Sequence, residues 1–355
     1  MIYSRNQLAG KALTVLGPVS PDQLGVTLSH EHCLLDITCT HVEPKEATLR
    51  KLAKEPVTLK NAGILRYRSN DNLDNSLLLD EALSLAEIAP FKYAGGKTII
   101  DMTNIGLARD PSAIRRISMA TGLNIVMGSG YYVKKAQPAE LVEKLTEEAI
   151  AEEIAGDILK GVNGTDIHSG LIGEIGCSWP LEDFERKVLR ASARAQKETG
   201  APLVIHPGRH EDAPLEILQI LKEAGADLGH TVMSHVERTL FEAENRYAIA
   251  RSGCYLAYDL FGNEGYYPET LSITDIPNDA GRIAQIKDLM AKGFGRQILI
   301  SHDICKKTRY MAFGGHGYTH ILNNAVPAMR LRGMKDEQID DLLVGNPRQA
   351  FVFKG

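Results

Sequence analysis

The sequence predicts an α/β fold, a (β/α)8 TIM barrel with a short N-terminal β-hairpin and additional C-terminal helices. Eight short apolar runs alternate with helical segments along the chain. The runs are apolar on both faces, which is typical of parallel strands that helices cover on both sides. A length of 355 residues suits eight such units closed into one barrel. We therefore expect a single domain over residues 1–355.

The predicted strands are short apolar runs that end near polar residues or glycine. They cover residues 26–30, 97–103, 124–130, 170–176, 201–207, 231–235, 254–259 and 297–303. The predicted helices are segments with apolar residues at helical spacing. They cover residues 76–94, 111–121, 138–160, 181–199, 212–225, 239–252 and 279–293, and a last region at 317–345 that breaks near Gly333.

Two segments stand outside this alternation. Gly17-Pro18 and Pro21-Asp22 predict turns, and with them a short N-terminal hairpin that caps the bottom of the barrel. The stretch from residue 33 to about residue 75 has mixed polarity and little clean periodicity. A connection of this length in a compact protein is usually functional, so we expect a lid or a binding loop there.

Composition excludes several classes of function. An apolar content of 44% with 24% charged residues is that of a globular protein. A formal net charge of −5 and a pI near 6.1 lack the basic signature of a general nucleic-acid binder. No apolar run approaches the 18 residues of a membrane span, and the N-terminus does not resemble a signal peptide. We expect a cytoplasmic protein with no membrane or nucleic-acid partner.

The cysteine content also predicts a cytoplasmic location. The chain has five cysteines, an odd number, and none forms a Cys-x-x-Cys pair. This pattern fits free thiols in a reducing environment better than disulfides or a thiolate zinc site.

A pair of histidines closes the first predicted strand. His30 and His32 are one residue apart, so in a strand they share a face while Glu31 points the other way. Two neutral imidazoles that leave a strand end side by side can hold one transition metal. By itself such a pair is more often two hydrogen-bonded polar residues than a metal site.

Further candidate ligands occur at the ends of other predicted strands, where barrel enzymes keep their active sites. They are Glu174, His206, His235 and Asp303. Four imidazoles and two carboxylates are too many for one tetrahedral zinc ion and suit two divalent ions that share a bridging carboxylate. Two such ions can hold a hydroxide at neutral pH and polarise a scissile bond. Asp303 can both bind the metal and accept the proton of the nucleophile.

The arrangement resembles the phosphotriesterase family of the amidohydrolase superfamily. The matching stretches are TVLGPVSPDQLGVTLSHEH, GLIGEIGCSWPL, VIHPGR, TVMSHVERT, GCYLAYDLFG and SHDICKKTRYMAFGGHGY, so the resemblance covers essentially the whole chain. It implies a barrel hydrolase with a binuclear metal centre. It also implies that His30, His32 and Asp303 hold the more buried metal, and that His206 and His235 hold the other.

Two departures from the family pattern concern the reaction. Members that hydrolyse organophosphates bridge their metals with a carboxylated lysine, whereas residues 170–176 contain no lysine and offer Glu174 instead. Those members also have a histidine after the aspartate of the seventh strand, but Asp259 is followed by Leu260. Vertebrate relatives are associated with hydrolysis of N-acetyltaurine, so the resemblance implies an amidase for small N-acyl substrates.

Basic and aromatic residues near the strand ends suggest a small anionic substrate. Arg209 and Lys306 follow two of the predicted ligands, and an arginine can bind a carboxylate, sulfonate or phosphate with two hydrogen bonds. Tyr131 and Trp179 could form the walls of the pocket. For each of these residues, an exposed loop position or ordinary packing is an equally good interpretation.

The sequence thus predicts a binuclear metal-dependent hydrolase of a small N-acyl compound, with Asp303 as the catalytic base. Zinc is the expected metal, while manganese, iron and cobalt also suit these ligands. The alternatives are a lactonase, esterase or weak phosphotriesterase of the same family, a decarboxylase or isomerase, and a ligand-binding barrel that keeps its metals without turnover. The resemblance suggests a homodimer.

Overall fold

The computed structural model describes residues 2–264 and 276–355. Its strands in these ranges are β1 Ala12–Thr14, β2 Gly17–Val19, β3 Thr27–Glu31, β4 Leu35–Asp36, β5 Leu77–Leu78, β6 Thr98–Asp101, β7 Asn124–Ser129, β8 Leu171–Gly176, β9 Leu203–His206, β10 Thr231–Met233, β11 Tyr255–Tyr258 and β12 Ile298–Ile300. Strands β3 and β6 to β12 form one parallel eight-stranded sheet in chain order. All eight predicted barrel strands are therefore confirmed.

The first and last strands of this sheet meet and bring the barrel close to closure. The Ser29 hydroxyl donates to the carbonyl of Ile300 at 2.9 Å. The backbone N–H of Asp303 donates to the carbonyl of His30 at 3.2 Å. Both contacts lie at the carboxyl ends of β3 and β12, so the two ends of the chain's barrel segment join next to the predicted ligands. The predicted fold class, an α/β barrel, is confirmed.

Helices cover the outside of the sheet. They are α1 Arg5–Leu8, α2 Ala47–Leu52, α3 Leu59–Leu65, α4 Glu81–Tyr93, α5 Pro111–Thr121, α6 Ala139–Lys144, α7 Glu147–Leu159, α8 Asp183–Thr199, α9 Ala213–Glu223, α10 Ala243–Arg251, α11 Asp279–Ala291, α12 Val326–Leu331, α13 Asp336–Asp340 and α14 Asn346–Ala350. Two π-helical turns, Ile321–Ala325 and Asp341–Gly345, precede α12 and α14. Among the helices of the described ranges, none has both the length and the apolar character that crossing a membrane requires.

Two helix predictions need correction. The predicted helix 138–160 is two helices, because Leu145 is extended and the Thr146 side chain caps α7 by accepting from the backbone N–H of Ala149. The predicted helix 76–94 begins only at Glu81, after β5 has paired with β4. The break expected at Gly333 is confirmed, since this glycine takes a left-handed conformation with φ of 78° between α12 and α13.

Two layers of apolar side chains form the core. The inner layer fills the barrel and takes one residue from each of seven strands; it consists of Ile100, Val126, Leu171, Val204, Val232, Ala257 and Leu299. Phe351, which follows α14, packs against this layer. The outer layer lies between the strands and the helices. The barrel interior is thus packed with apolar side chains, and the polar residues of the strands gather beyond its carboxyl end.

Of the two segments outside the alternation, the N-terminal hairpin is confirmed, and the lid or binding loop stays a prediction. Strands β1 and β2 form the N-terminal hairpin, and Val15 after β1 donates to the carbonyl of Ile125 near the amino end of β7, at the bottom of the barrel. The segment from 33 to 75 contains β4, α2 and α3. It sends Ile37, Thr40, Ser69 and Asn70 into the wall of a cavity at the opposite end.

Candidate metal centre

Strand β3 and the residue that follows it place His30 and His32 on one face, as their spacing predicts. Both Nε2 atoms point toward the Glu174 carboxylate, at 3.5 and 3.9 Å. They also face Asp303 Oδ1, at 3.8 and 3.3 Å. The intervening residue, Glu31, points away and accepts hydrogen bonds from the end of β12, including one from the Ser301 hydroxyl. Alternation along the strand therefore separates the two histidines from the acid between them.

His206 and His235 approach Glu174 from the other side. His206 Nδ1 lies 2.5 Å and His235 Nε2 lies 2.9 Å from Glu174 Oε1, and these two nitrogens are 3.0 Å apart. All four imidazoles predicted as ligands therefore aim a ring nitrogen at one carboxylate. Glu174 stands in the centre of the group, as expected of a residue that bridges two cations.

Backbone strain occurs at two of these positions. His235 has φ of 54° and Asp303 has φ of 51°, in the left-handed region that residues with a side chain seldom adopt. Such a conformation costs on the order of 1–3 kcal/mol and persists where the surroundings enforce it, often in functional sites. Each residue lies two or three positions after a short strand, β10 or β12, and the unusual φ turns each side chain into the cluster.

The charges of the cluster depend on one another. Burial would raise the pKa of Glu174, but His206 and His30 lower it well below its usual value. Burial would also raise the pKa of Asp303, but a hydrogen bond from His32 and the charges of His235 and Arg309 lower it to about 2. Burial lowers the pKa of His30, whereas the carboxylates of Asp259 and Glu174 outweigh it and raise the pKa to about 10. The carboxylates thus remain ionised and favour positive charge between them.

The donor set fits two divalent cations. His30, His32 and Asp303 form one group whose ligand atoms lie within 4.8 Å of one another, and Glu174, His206 and His235 form a second. Within the described ranges, His30 Nε2 is buried and has no hydrogen-bond partner, although a buried ring nitrogen ordinarily has one. Imidazole nitrogens combined with carboxylates are ligands for zinc, manganese, iron and cobalt.

Asp259 lies within this cluster, although its position in the sequence did not predict it as a site residue. Its Oδ2 lies 3.1 Å from His30 Nδ1, and its Oδ1 lies 2.7 Å from His235 Nδ1. One buried carboxylate thus holds the outer nitrogens of two histidines, one from each group. Partners of this kind fix the orientation and tautomer of a metal-binding imidazole. Thr103 serves His32 in the same way, with its hydroxyl 3.0 Å from Nδ1.

Replacement of Asp259 by asparagine should weaken metal binding roughly 10- to 100-fold, because the amide cannot accept from both histidines through two charged oxygens. The metal dissociation constant, measured by competition with a chromogenic chelator, tests this expectation. Asp80→Asn is a matched control, since Asp80 caps α4 at the surface and asparagine caps a helix equally well. Equal affinity in Asp259→Asn and wild type would contradict the orienting role.

A narrow cavity of about 60 Å³ opens above the cluster. Two of the predicted substrate-binding residues line it: Arg209 is exposed at the rim, and Lys306 is buried, with Nζ 2.9 Å from the Ser76 hydroxyl. Arg309 and Arg238 also line it. Four cationic side chains therefore surround the space next to the predicted ligands, which suits an anionic ligand.

The structure does not bring the other two predicted residues to this cavity. Tyr131 is buried, and its hydroxyl donates to Glu153 on α7. Trp179 stacks on His210 with the rings 4.5 Å apart. Tyr132, which follows Tyr131 in the chain, lines the cavity instead, with its hydroxyl 3.4 Å from His206 Nε2. The sequence places a tyrosine pair at the end of β7 but does not determine which of the two faces the cavity.

A parallel barrel with histidines and carboxylates gathered at its carboxyl end is typical of metal-dependent hydrolases. Residues 10–351 match the model of the Phosphotriesterase family. The chain belongs to this family.

Named relatives extend over nearly the whole chain. A phosphotriesterase-related protein of Nematostella vectensis is 44% identical over 349 residues, which is 98% of this chain and 99% of the relative. The N-acetyltaurine hydrolase of Homo sapiens is 41% identical over 350 residues, 98% of this chain and 100% of that protein. Among solved structures, a resiniferatoxin-binding protein from Rhodobacter sphaeroides superposes with a TM-score of 0.93 at 36% identity, over 97% of this chain and 96% of the other.

Proposed function

We propose that this protein is a binuclear metal-dependent amidase for small anionic N-acyl compounds, with N-acetyltaurine as the first candidate substrate. One observation carries the proposal: the side chains form two ligand groups around Glu174, directly beneath a cavity with cationic walls. The relatives named N-acetyltaurine hydrolase, which match almost the full chain, agree with it. We further propose that residues 1–355 act as one domain.

The six predicted ligands divide between two cations. In this proposal His30, His32 and Asp303 would hold one cation, His206 and His235 would hold the other, and the Glu174 carboxylate would contact both. When bound, two divalent cations would acidify a water molecule and polarise the scissile carbonyl. We propose zinc as the resident metal, although manganese, iron and cobalt accept the same ligands.

Asp303 has the geometry of a proton carrier in this proposal. Its Oδ1 faces the two histidines of β3, while Oδ2 faces Arg309 at 3.6 Å. Oδ2 can therefore receive the proton of the attacking water and deliver it to the nitrogen of the departing amine. Because its pKa is low, protonated Asp303 releases this proton readily. The amine needs the proton in order to leave, because a deprotonated amine nitrogen is a poor leaving group.

Two further expectations accompany the reaction. The cationic side chains Arg209 and Lys306 would attract an anionic substrate to the cavity. A cytoplasmic location agrees with the five cysteines, all of which are free thiols. The homodimer stays a prediction.

Taurine release from N-acetyltaurine tests the proposal directly. The protein is reconstituted with zinc, shown to hold two ions per chain, and compared with Asp303→Asn as the blank. Turnover that the variant lacks supports the amidase. Absence of turnover in protein with two ions contradicts N-acetyltaurine as the substrate and makes lactones and other N-acyl anions the next compounds to assay.

A further inference from the structure

Arg238 is a buried cation in the cavity wall. It ends a short 3-10 turn, Val236–Arg238, that begins directly after His235, and it is only 4% exposed. In the part of the chain that the structure describes, no carboxylate lies within 4.0 Å of its guanidinium. Buried charges in proteins are ordinarily paired, because an unpaired one loses its hydration without compensation.

The contacts that Arg238 does make lie at or beyond the upper end of the usual range for hydrogen bonds. Its Nη2 lies 3.2 Å from His206 Nε2 and 3.3 Å from the carbonyl of Pro207, and its Nη1 lies 3.4 Å from the Thr239 hydroxyl. Hydrogen bonds from N–H groups to oxygen are ordinarily 2.7–3.2 Å long. The guanidinium is therefore held in place loosely and keeps donor capacity toward the cavity that it lines.

Two other buried arginines show how this chain ordinarily satisfies such a group. Arg282 pairs with Glu237 at 3.2 Å and with Asp279 at 2.9 Å. Arg246 donates to the carbonyls of Leu240 and Phe241 at 2.9 and 2.6 Å. Neither of them lines the cavity above the ligand cluster. Arg238 differs from both in its long contacts and in its position on that cavity.

Other polar groups converge on the same place. Since His206 turns Nδ1 toward Glu174, its Nε2 edge faces Arg238 at 3.2 Å and the Tyr132 hydroxyl at 3.4 Å. An arginine fork beside a hydroxyl is a geometry that recognises a planar or tetrahedral oxyanion. We propose that Arg238 is the specificity-determining residue that binds the anionic end of the substrate, with Tyr132 beside it.

Position distinguishes Arg238 from the other cations of the cavity. Arg209 is exposed at the rim, where charges act mainly on the rate of encounter and contribute little affinity. Arg309 faces Asp303 Oδ2, and Lys306 contacts Ser76 and Thr40. Arg238 touches the outer edge of a predicted metal ligand, so an acid bound there lies a short chain away from the scissile bond.

This inference rests on the proposed function and adds to it: the substrate is an N-acyl amino acid whose acid group is separated from the amide by a short spacer.

The test compares two substrates of similar shape, of which only one carries a charged oxygen at the end that should meet Arg238. They are N-acetyltaurine and its methyl sulfone analogue, which keeps the shape and removes the charge. Arg238→Gln should lower the ratio of kcat/KM for N-acetyltaurine to kcat/KM for the sulfone roughly 10- to 100-fold, because a hydrogen-bonded charge pair is lost. Arg246→Gln, a buried arginine bonded to backbone carbonyls, is the matched control and should keep the wild-type ratio.

Two results would overturn the assignment. An equal loss on both substrates would mean that Arg238 supports the fold or the metal ligands and binds no anion. An unchanged ratio would mean that another residue binds the acid, and a larger change in Arg209→Gln would identify that residue. If Arg238→Gln does not fold, Arg238→Lys replaces it; a lysine keeps the charge without the planar fork and should give a smaller shift of the same ratio.

Binding of propane-1-sulfonate, measured by calorimetry on protein loaded with zinc, separates this inference from the proposed function. Wild type should bind the probe, and Arg238→Gln should bind it at least tenfold more weakly at equal metal content. If wild type hydrolyses neither substrate yet binds the sulfonate through Arg238, the proposed function fails and the anion site stands. If wild type hydrolyses N-acetyltaurine and Arg238→Gln binds the probe equally well, the anion site fails and the proposed function stands.

Discussion

Asp303→Asn should lower kcat for hydrolysis by roughly two to four orders of magnitude, the usual contribution of a general acid–base group. Asparagine keeps the size and one oxygen of the side chain, so the ring nitrogens of His30 and His32 retain a partner near Oδ1. It cannot accept and deliver a proton at the position of Oδ2. The substitution therefore removes proton transfer while it preserves most of the contacts around the residue.

Steady-state kinetics at several pH values, with metal content measured on the same samples, check this expectation. Asp303 has a low pKa, about 2, so we expect no loss of activity from its protonation at any pH above about 4. A variant that retains two metals and wild-type kcat would contradict the role of Asp303 as proton carrier. A variant that loses its metals would show that the carboxylate acts chiefly as a ligand.

Glu174→Gln should abolish stable binding of the metal pair, and activity with it. Four imidazole nitrogens lie 2.5–3.9 Å from this carboxylate, so its negative charge faces all four predicted histidine ligands. Glutamine has nearly the same shape but no charge. We expect affinity for metal to fall by more than the roughly 10- to 100-fold that loss of an orienting partner costs, because the residue itself is a predicted ligand.

Elemental analysis after dialysis against a weak chelator measures this effect. The variant should retain fewer than two ions per chain under conditions where wild type keeps both. Glu182→Gln is the matched control: Glu182 is an exposed glutamate after the same strand, paired with Lys134 at the surface. Full metal content in Glu174→Gln would rule out a bridging role.

The fold could be predicted from the sequence because its strands carry a strong local signal. Runs such as 124–130 and 170–176 are apolar on both faces, and few structures other than a covered parallel sheet bury such runs. Local signals also explain the errors. The cap at Thr146 competes with a continuous helical pattern over 138–160, and the pairing of β5 with β4 is a contact between distant residues that a local pattern does not contain.

The six candidate ligands could be predicted for a similar reason. A polar residue near the carboxyl end of a buried apolar strand has few places to lie other than the mouth of the barrel. His30, Glu174 and His206 all lie within the last three residues of such strands. Asp259 also follows a strand, but nothing local marks it as a partner of two histidines. Arg238 lies in a short turn whose direction is set by the left-handed His235, and its burial depends on tertiary packing. These contacts became visible only in the structure.

The junction between the first and last barrel strands has a consequence for how the protein is made. Glu31 on β3 accepts from the backbone N–H of Ile304, 273 residues further along the chain. A nascent chain therefore exposes His30 and His32 on the ribosome long before Asp303 has been synthesised. Because the group of His30, His32 and Asp303 draws on both ends of this span, it cannot hold a cation with all three ligands until residue 303 has been made. A chain terminated before that residue would carry the first two histidines without the carboxylate that completes their group.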